Sequence, residues 1–434
     1  MIDVFYPGYH FRNEYDYIVR LIFERFLQAE WRYAGVMEGR WVFRHHNTDL
    51  VFPNLFFPER DPSCWLTEKM PQPKASLTSF TNGKMVTPYQ QQGDSSFNAF
   101  DLLGSIFFFL TAIEELWDLP RDEIGNLLLE GTFLGKNNLF SMPVVDIYIE
   151  DLFILLKKNE FPCTRSQHQY AFHYSCDVDT PTIWYNSQFS DFTRYAVASI
   201  IKYRSLQRFM TIVKARKRIQ SDLFFTFPYI FKQLSSHGIQ GRFNIKGGIV
   251  ATCHDFPYKL NEQHIKKLLL DICEQGHEIG FHPSYNTRDS YTLFLEELER
   301  VKATSDQPIR GGRQHYLRFS GSRTWRMWND AGLSYDSTCG YRRCTGFRMG
   351  TCRPFPVYDL LARSTLNLIE YPLIIMDCAL LHQLPDPDQA RDHAAKLNEW
   401  VRAFNGVMTL LWHNSFFETQ AKKILFEELL HICA

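Results

Sequence analysis

The sequence predicts an α/β protein, a distorted (β/α) barrel preceded by a smaller α+β region. Three observations carry that expectation. From about residue 170 onward, short apolar runs alternate with segments of helical periodicity, the pattern of repeated βα units. Chemistry-bearing side chains fall repeatedly just past the apolar runs, at Asp177 and Asp179, His282 and Asn286, Arg318, Asp336, Asp377 and His413. In a parallel barrel the strand C-termini and the loops after them build the site, so residues in such positions would meet. The first 165 or so residues lack the alternation and mix aromatic-rich short runs with Pro-rich loops. A chain of 434 residues corresponds to about two domains, here 1–165 for an accessory α+β region and 166–434 for the barrel.

In chain order, Tyr15 to Leu27 reads as a helix, with Tyr17, Ile18, Leu21, Ile22 and Phe26 at helical spacing. Trp41-Val42-Phe43 and Leu50-Val51-Phe52 are short apolar runs, followed by Pro-rich loops from Pro53 to Pro88 and a Gln-rich exposed stretch from Lys84 to Asp94. Phe100 to Trp117 is a helix apolar on most faces and therefore buried. Tyr170 to Cys176 is a strand ending in carboxylates, and Ile239 to Ile245 is the next. Asn261 is read as the cap of a helix striped by Ile265, Leu268, Leu269 and Ile272, which Gly276 ends. Glu278 to Phe281 is a strand, Ser290 to Ala303 a helix, and a further helix through Trp325 and Trp328 closes at Gly332. Leu333 to Asp336, Leu368 to Tyr371 and Val407 to Trp412 are strands. Asp388 is read as capping a helix striped by Ala390, Ala394, Leu397, Trp400, Val401 and Phe404, which Gly406 stops.

Bulk properties exclude several classes. Hydrophobic residues make up 45% of the chain, enough for a large core, and the formal net charge of −1 provides no global field toward nucleic acid or anionic membrane. The most apolar run, Leu102 to Ile113, contains Gly104 and Ser105 and falls short of the roughly 20 apolar residues of a membrane span. The N-terminus has no basic segment followed by an apolar run, so no secretory signal and a cytoplasmic location are expected. Ten cysteines without a compact framework suit reduced thiols; Cys339, Cys344 and Cys352 lack a C-x₂-C spacing, so buried thiols are expected there rather than zinc.

Three segments carry the chemistry. Ser175-Cys176-Asp177-Val178-Asp179-Thr180-Pro181 places two carboxylates at i and i+2 on an extended chain, facing one side. Their mutual repulsion is relieved by a bound cation. Gly276-His277-Glu278-Ile279-Gly280-Phe281-His282, continuing to Asn286, adds imidazoles and an amide. Leu410-Leu411-Trp412-His413 adds a late histidine at a strand end. Carboxylates and imidazoles in this combination are the parts of metal-assisted amide or ester hydrolysis.

On these motifs, residues 170–434 resemble the polysaccharide deacetylases (NodB homology, carbohydrate esterase family 4). The resemblance implies a barrel of six or seven strands, with Asp177 as catalytic base and Asp179 as metal ligand. The family's paired carboxylates are adjacent, whereas here Val178 separates them. It implies His282 as a ligand, with Asn286 where the family has a second histidine; an amide is a harder and weaker ligand than imidazole. His277 lies outside the ligand positions and is expected to be packed or hydrogen-bonded. Arg313 and Arg318 both fall where the family has the arginine that orients the base. The family's Trp-containing fourth signature is absent, and the stretches around Tyr335–Thr338 and Gly346–Phe355 are expected to line the pocket. His413 matches the general acid, with Asp377 as its carboxylate partner. The implied cofactor is a divalent metal ion, zinc first, with cobalt, nickel or manganese as alternatives.

The expected substrate is an acetylated sugar or a surface-polysaccharide precursor, with Trp184, Tyr285 and Tyr341 as stacking surfaces. Two other readings stay open: a C–N hydrolase acting on a non-sugar amide, and a non-catalytic glycan-binding or assembly protein, which Asn286 and the altered fourth motif favour. The first 165 residues hold no chemical site and could shape the cleft or mediate a homo-oligomer.

Overall fold

A computed structural model of the protein describes residues 1–57, 71–185, 189–201 and 204–434. Residues 58–70 of the Pro-rich loops thus lie outside the described residues. The N-terminal region opens with β1 (Ile2–Tyr6), β2 (Trp31–Val36), β3 (Arg40–His45) and β4 (Thr48–Pro53), in the spatial order β2-β1-β3-β4. A separate hairpin follows, β5 (Ser76–Phe80) with β6 (Gly83–Thr87). The first helix spans Arg12–Arg20 and continues as a π-helical stretch, Leu21–Phe26. The apolar helix is shorter than its pattern suggests: Leu102–Leu110 is buried throughout and stops before Ala112, whose φ is +50°.

The larger part of the chain is organised by nine strands in one sheet. They are β7 (Ala171–Val178), β8 (Gly241–Ile245), β9 (Glu278–Phe281), β10 (Gly311–Gly312), β11 (Tyr335–Asp336), β12 (Phe355–Asp359), β13 (Ser364–Glu370), β14 (Ile375–Met376) and β15 (Val407–Leu411). Their order is β12-β13-β11-β10-β9-β8-β7-β15-β14. All pairs are parallel except β12 with β13. This is a large parallel-rich sheet with helices in its crossovers. Among the described residues no ladder joins β14 back to β12, and nine strands take part rather than six or seven.

Two helix caps differ from the sequence reading. Glu262, not Asn261, precedes the helix Gln263–Glu274, and it makes no side-chain cap. Asp386, not Asp388, caps Pro387–Ala403, accepting from the backbone N–H of Asp388 and Gln389 because Pro387 takes the first helical position. The first stripe is buried as the periodicity requires, with Ile265, Leu268, Leu269 and Ile272; on the second helix Ala390, Ala394, Leu397 and Val401 are buried, while Trp400 and Phe404 are half-buried against the core. Two helices after β7, Phe189–Ile201 and Leu206–Lys217, have no counterpart in the sequence reading.

One continuous apolar core runs from Ile2 to Cys433 and includes residues of both regions. Buried carboxylates pin the contact between them. Glu14 receives the Arg363 guanidinium at 2.8 Å, Glu115 receives Arg348 at 2.5 Å, and Asp146 lies 3.3 Å from Arg353. The stretch around Gly346–Phe355 serves this contact instead of lining the pocket. Phe347 N–H donates to the Phe140 carbonyl and Gly350 O accepts from Val145 N–H.

Candidate active site

The C-terminal ends of β7, β9, β10, β14 and β15 converge on a cleft of about 380 Å³ lined by Asp177, Asp179, His282, His315, Tyr316 and His413, among others. Asp177 is the penultimate residue of β7 and Asp179 lies just past its end, so the i, i+2 spacing brings both to one side.

Asp177 is buried and held through one carboxylate oxygen. Its Oδ1 accepts from Arg313 Nη1 at 3.0 Å and from Asn244 Nδ2 at 2.6 Å. Arg313 is itself clamped, donating through Nε to the Ser337 carbonyl, through Nη2 to Ser337 Oγ and through Nη1 to Ser175 Oγ. Burial pushes the Asp177 carboxyl up, but Arg313 and the nearby imidazoles overcome it and hold the group below its ordinary value. Arg318 does not reach this carboxylate. It donates to the carbonyls of Ile124 and Tyr285 and lies over the Tyr285 ring at 3.7 Å. Of the two arginines, the geometry therefore gives Asp177 to Arg313.

Asn244 escaped the sequence reading, although a neighbouring glycine signals it. A Cβ on Gly280 would come within 2.0 Å of Asn244 Oδ1. The second glycine of Gly276-His277-Glu278-Ile279-Gly280 is thus the space that Asn244 needs to reach Asp177. His277 in the same motif is buried between Phe231 and Phe243, and its Nδ1 accepts from Gly241 N–H.

Asp179, His282 and His315 form the one group of potential metal-binding His, Cys, Asp and Glu side chains found among the described residues, with candidate ligand atoms within 4.8 Å of one another. Asp179 Oδ1 stands 3.2 Å from His282 Nε2 and 3.1 Å from His315 Nε2. His282 Nδ1 lies 2.7 Å from the Arg313 carbonyl, which fixes Nδ1 as the donor and leaves the Nε2 lone pair facing the carboxylate. Asp179 Oδ1 and His282 Nε2 are buried with no hydrogen-bond partner. Lone pairs converging without donors are what a cation satisfies, so these residues fit a divalent metal.

The third member corrects the ligand expectation. Asn286 is exposed on the 3₁₀ turn Tyr285–Asp289 and does not line the cleft; the place beside Asp179 and His282 belongs to His315. Behind it, His315 Nδ1 lies 2.8 Å from Asp255 Oδ1, and the same oxygen is 2.6 Å from Lys246 Nζ. Burial opposes protonation of His315, yet Asp179 and Asp255 raise its pKa. Tyr316 and Leu317 follow with φ of +57° and +53°, a left-handed pair that costs free energy in non-glycine residues. Asn126, buried in the N-terminal region, brackets that turn, donating from Nδ2 to the Tyr316 carbonyl at 3.0 Å and accepting from Phe319 N–H at 3.4 Å.

His413 closes the opposite side. Asp377 accepts its backbone N–H at 2.6 Å and its Nδ1 at 2.9 Å, while Nε2 faces the cleft 3.7 Å from Asp179 Oδ2. Burial alone would lower the His413 pKa, but Asp377 and the two other aspartates raise it to about 10. The expected stacking aromatics are placed otherwise: Trp184 and Tyr341 are buried, and Tyr285 is stacked on His254 at 4.0 Å. Tyr316, Arg342 and Arg343 line the mouth.

A model of a family of unknown function (DUF7033) matches residues 4–161. No curated protein matches. Among solved structures, the chain is similar to a candidate polysaccharide deacetylase from Mycobacterium smegmatis, at 16% identity and a TM-score of 0.40 over 62% of this chain and 85% of that one. No helix among the described residues is long and apolar enough to cross a membrane.

Proposed function

We propose that the chain is a metal-dependent hydrolase that removes an acetyl group, N-linked or O-linked, from an acetylated sugar or glycan precursor, on a NodB-like sheet spanning residues 166–434. The observation that carries the reading is the meeting in one cleft of three groups with separate tasks: the Asp179, His282 and His315 cluster, Asp177 held by Arg313, and His413 held by Asp377. The sugar substrate follows from the motif resemblance.

In this reading Asp179, His282 and His315 hold a divalent ion, zinc first. When bound, it supplies Lewis acidity toward water and the acyl oxygen. Asp177, kept ionised by Arg313, takes the proton of the attacking water. His413, kept protonated by Asp377, gives a proton to the departing amine or alcohol, and acetate is released. Asp255 orients His315 and fixes which of its nitrogens faces Asp179. The N-terminal region, 1–165, braces this face through Asn126.

Elemental analysis after equilibration with zinc, cobalt, nickel or manganese tests the centre, and acetate release from N-acetylated and O-acetylated sugars tests the chemistry. About one equivalent of metal, with acetate release lost in Asp177→Asn, is expected. Absence of metal under all four conditions overturns the hydrolytic reading in favour of the glycan-binding one.

A further inference from the structure

We infer that Asp336 and Glu370 hold one proton between them, carried by Asp336, and that this acid–carboxylate pair positions the turn that holds Arg313. The shared proton stands apart from the hydrolytic reading; its consequence for the cleft rests on that reading. Parallel pairing of β11 with β13 sets Asp336 beside Glu370, and both side chains are fully buried. The two carboxyls lie within hydrogen-bonding reach of each other. A carboxylate only accepts, so two of them bond only through a proton. No cation stands in for it. Arg313, whose charge acts on Asp336, directs its guanidinium at Ser337, Ser175 and Asp177. Neither carboxyl belongs to the one group among the described residues that could hold a metal ion.

The surrounding hydrogen bonds say which residue carries the proton. Glu370 Oε1 accepts from the Cys339 N–H at 2.9 Å, and Oε2 accepts from Trp325 Nε1 at 3.0 Å. Asp336 Oδ1 accepts from the Thr338 hydroxyl at 2.5 Å. Asp336 Oδ2 is buried and no donor reaches it. A proton on Oδ2 donates to Glu370 and leaves every other oxygen of the pair an acceptor. Placed on Glu370, it would share its oxygen with an N–H that already points there. A second proton would face only donors, so the pair holds one.

The same bonds run to the cleft. The pair ties down Thr338 and Cys339 in the turn past β11, and Thr338 Oγ1 accepts from the Gln314 N–H at 3.0 Å, one residue before His315. Ser337, inside the turn, accepts from Arg313 through its carbonyl and its hydroxyl, and Arg313 holds Asp177. Two ionised carboxylates would repel each other and open that turn. The charged or titratable groups facing the pair are Arg313, from the segment after β10, and Cys339 on the turn itself. Arg348 and Glu115 act on Cys339 from behind and are bonded to each other. The helix Ser322–Asp330 brings the Trp325 indole and β12 brings Phe355, neither of which titrates. Burial pushes both carboxyls up from their ordinary range.

The test is denaturant unfolding of the full-length, metal-free chain across pH, with zinc titration as a second readout. Asp336→Asn puts a permanent N–H where Oδ2 carries its proton and keeps Oδ1 as acceptor. The unfolded chain gives this proton up above its ordinary carboxyl range while the folded pair keeps it, so wild-type stability falls there as pH rises. Asp336→Asn has no such proton. The unfolding constant of wild type relative to the variant should therefore rise about tenfold per pH unit between about pH 5 and 7. Glu370→Gln sets an amide N–H against either the Cys339 or the Trp325 donor, whichever way it turns. It should lower the melting temperature and weaken zinc binding about tenfold or more, while Asp336→Asn stays within about twofold of wild type. Parallel pH dependence of wild type and Asp336→Asn overturns the shared proton, and this comparison decides even if Glu370→Gln fails to fold. A tolerated Glu370→Gln with a damaged Asp336→Asn overturns the placing of the proton on Asp336. Wild-type zinc affinity in both variants overturns the positioning role. Unfolding needs neither metal nor turnover, so a wild-type chain that binds no zinc would sink the hydrolytic reading and leave the pH comparison standing.

Discussion

At the C-terminal ends of β7, β8 and β9 stand Asp177, Asp179, Asn244 and His282; at the N-terminal ends of the same strands stand His173, Arg242 and Glu278. Each end opens into a cleft, about 380 Å³ at the first and about 350 Å³ at the second. Cleft size and residue type do not separate them, but the direction of the lone pairs does. At the N-terminal end Arg242 donates to Glu278 at 3.0 Å and lies 3.2 Å from His173 Nδ1, and Tyr335 donates to Glu278 at 3.1 Å. Charges there are matched by neighbours. At the C-terminal end Asp179 Oδ1 and His282 Nε2 face each other with no donor between them. A polar cluster becomes a candidate reaction centre when its lone pairs are aligned on a point that no protein group fills.

The largest expected effect separates the two arginines. Arg313 is buried and its removal leaves Asp177 as an uncompensated buried charge, whereas Arg242 is partly open to solvent. Arg313→Met should cost about 3–5 kcal/mol of unfolding free energy, and Arg242→Met about 1 kcal/mol or less. Denaturant unfolding measures both. Similar losses would mean that the two ends are equally structural and that the contrast drawn above is mistaken.

Metal binding sharpens the comparison next. Titration calorimetry with zinc should show His315→Ala, like Asp179→Ala, weakening binding by at least about 100-fold. Asn286→Ala and His173→Phe should leave it within a factor of about two, since neither side chain reaches the group. A large loss in Asn286→Ala with little in His315→Ala would restore the ligand set that the sequence suggested.

Opposite pH signatures follow from the two histidines. His413 in the metal-free protein has a pKa raised from 6.5 to about 10, so its stabilising contribution is complete below pH 6.5 and is lost as pH rises toward 10. Burial and the adjacent Arg242 lower His173 to about 3, so it stays neutral in the folded state while the unfolded chain takes up a proton below pH 6.5. Its contribution is lost as pH falls from 6.5 toward 3. Each slope is at most about 1.4 kcal/mol per pH unit. Thermal melts of the metal-free protein should show His413→Gln flattening the alkaline side and His173→Gln the acid side. Both variants flattening the same side would contradict the assignment.

Much of this was legible in the chain. Asp177, Asp179 and Asp377 end strands or follow them, and the two-residue spacing alone brings the first two together. His413 was legible as the end of an apolar run. Asn286 misled because its spacing from His282 imitates a ligand pair, but Pro283 and Ser284 lead into a 3₁₀ turn that directs it to solvent. His315 was hidden because its position depends on two left-handed residues, Tyr316 and Leu317, at which neither glycine nor asparagine marks the turn. The strands β10 and β14 are two residues each, too short to show a period.

The smallest effect tests how far the N-terminal region supports only one end of the sheet. Asn126 touches the turn that carries His315 through two bonds of opposite polarity, a donor to the Tyr316 carbonyl and an acceptor for Phe319 N–H. Asn126→Asp keeps the acceptor and replaces the donor with a carboxylate oxygen facing a carbonyl; Asn126→Ala removes both. A net protein hydrogen bond contributes about 1 kcal/mol, so Asn126→Ala should weaken zinc binding about tenfold through a looser His315. Its effect on global stability should stay within about 2 kcal/mol, and the acid-side slope set by His173 should be unchanged, because no part of that cluster meets Asn126. If Asn126→Ala lowered the melting temperature but left zinc affinity at the wild-type value, the residue would be a packing element alone. The left-handed turn would then hold His315 without help from the N-terminal region.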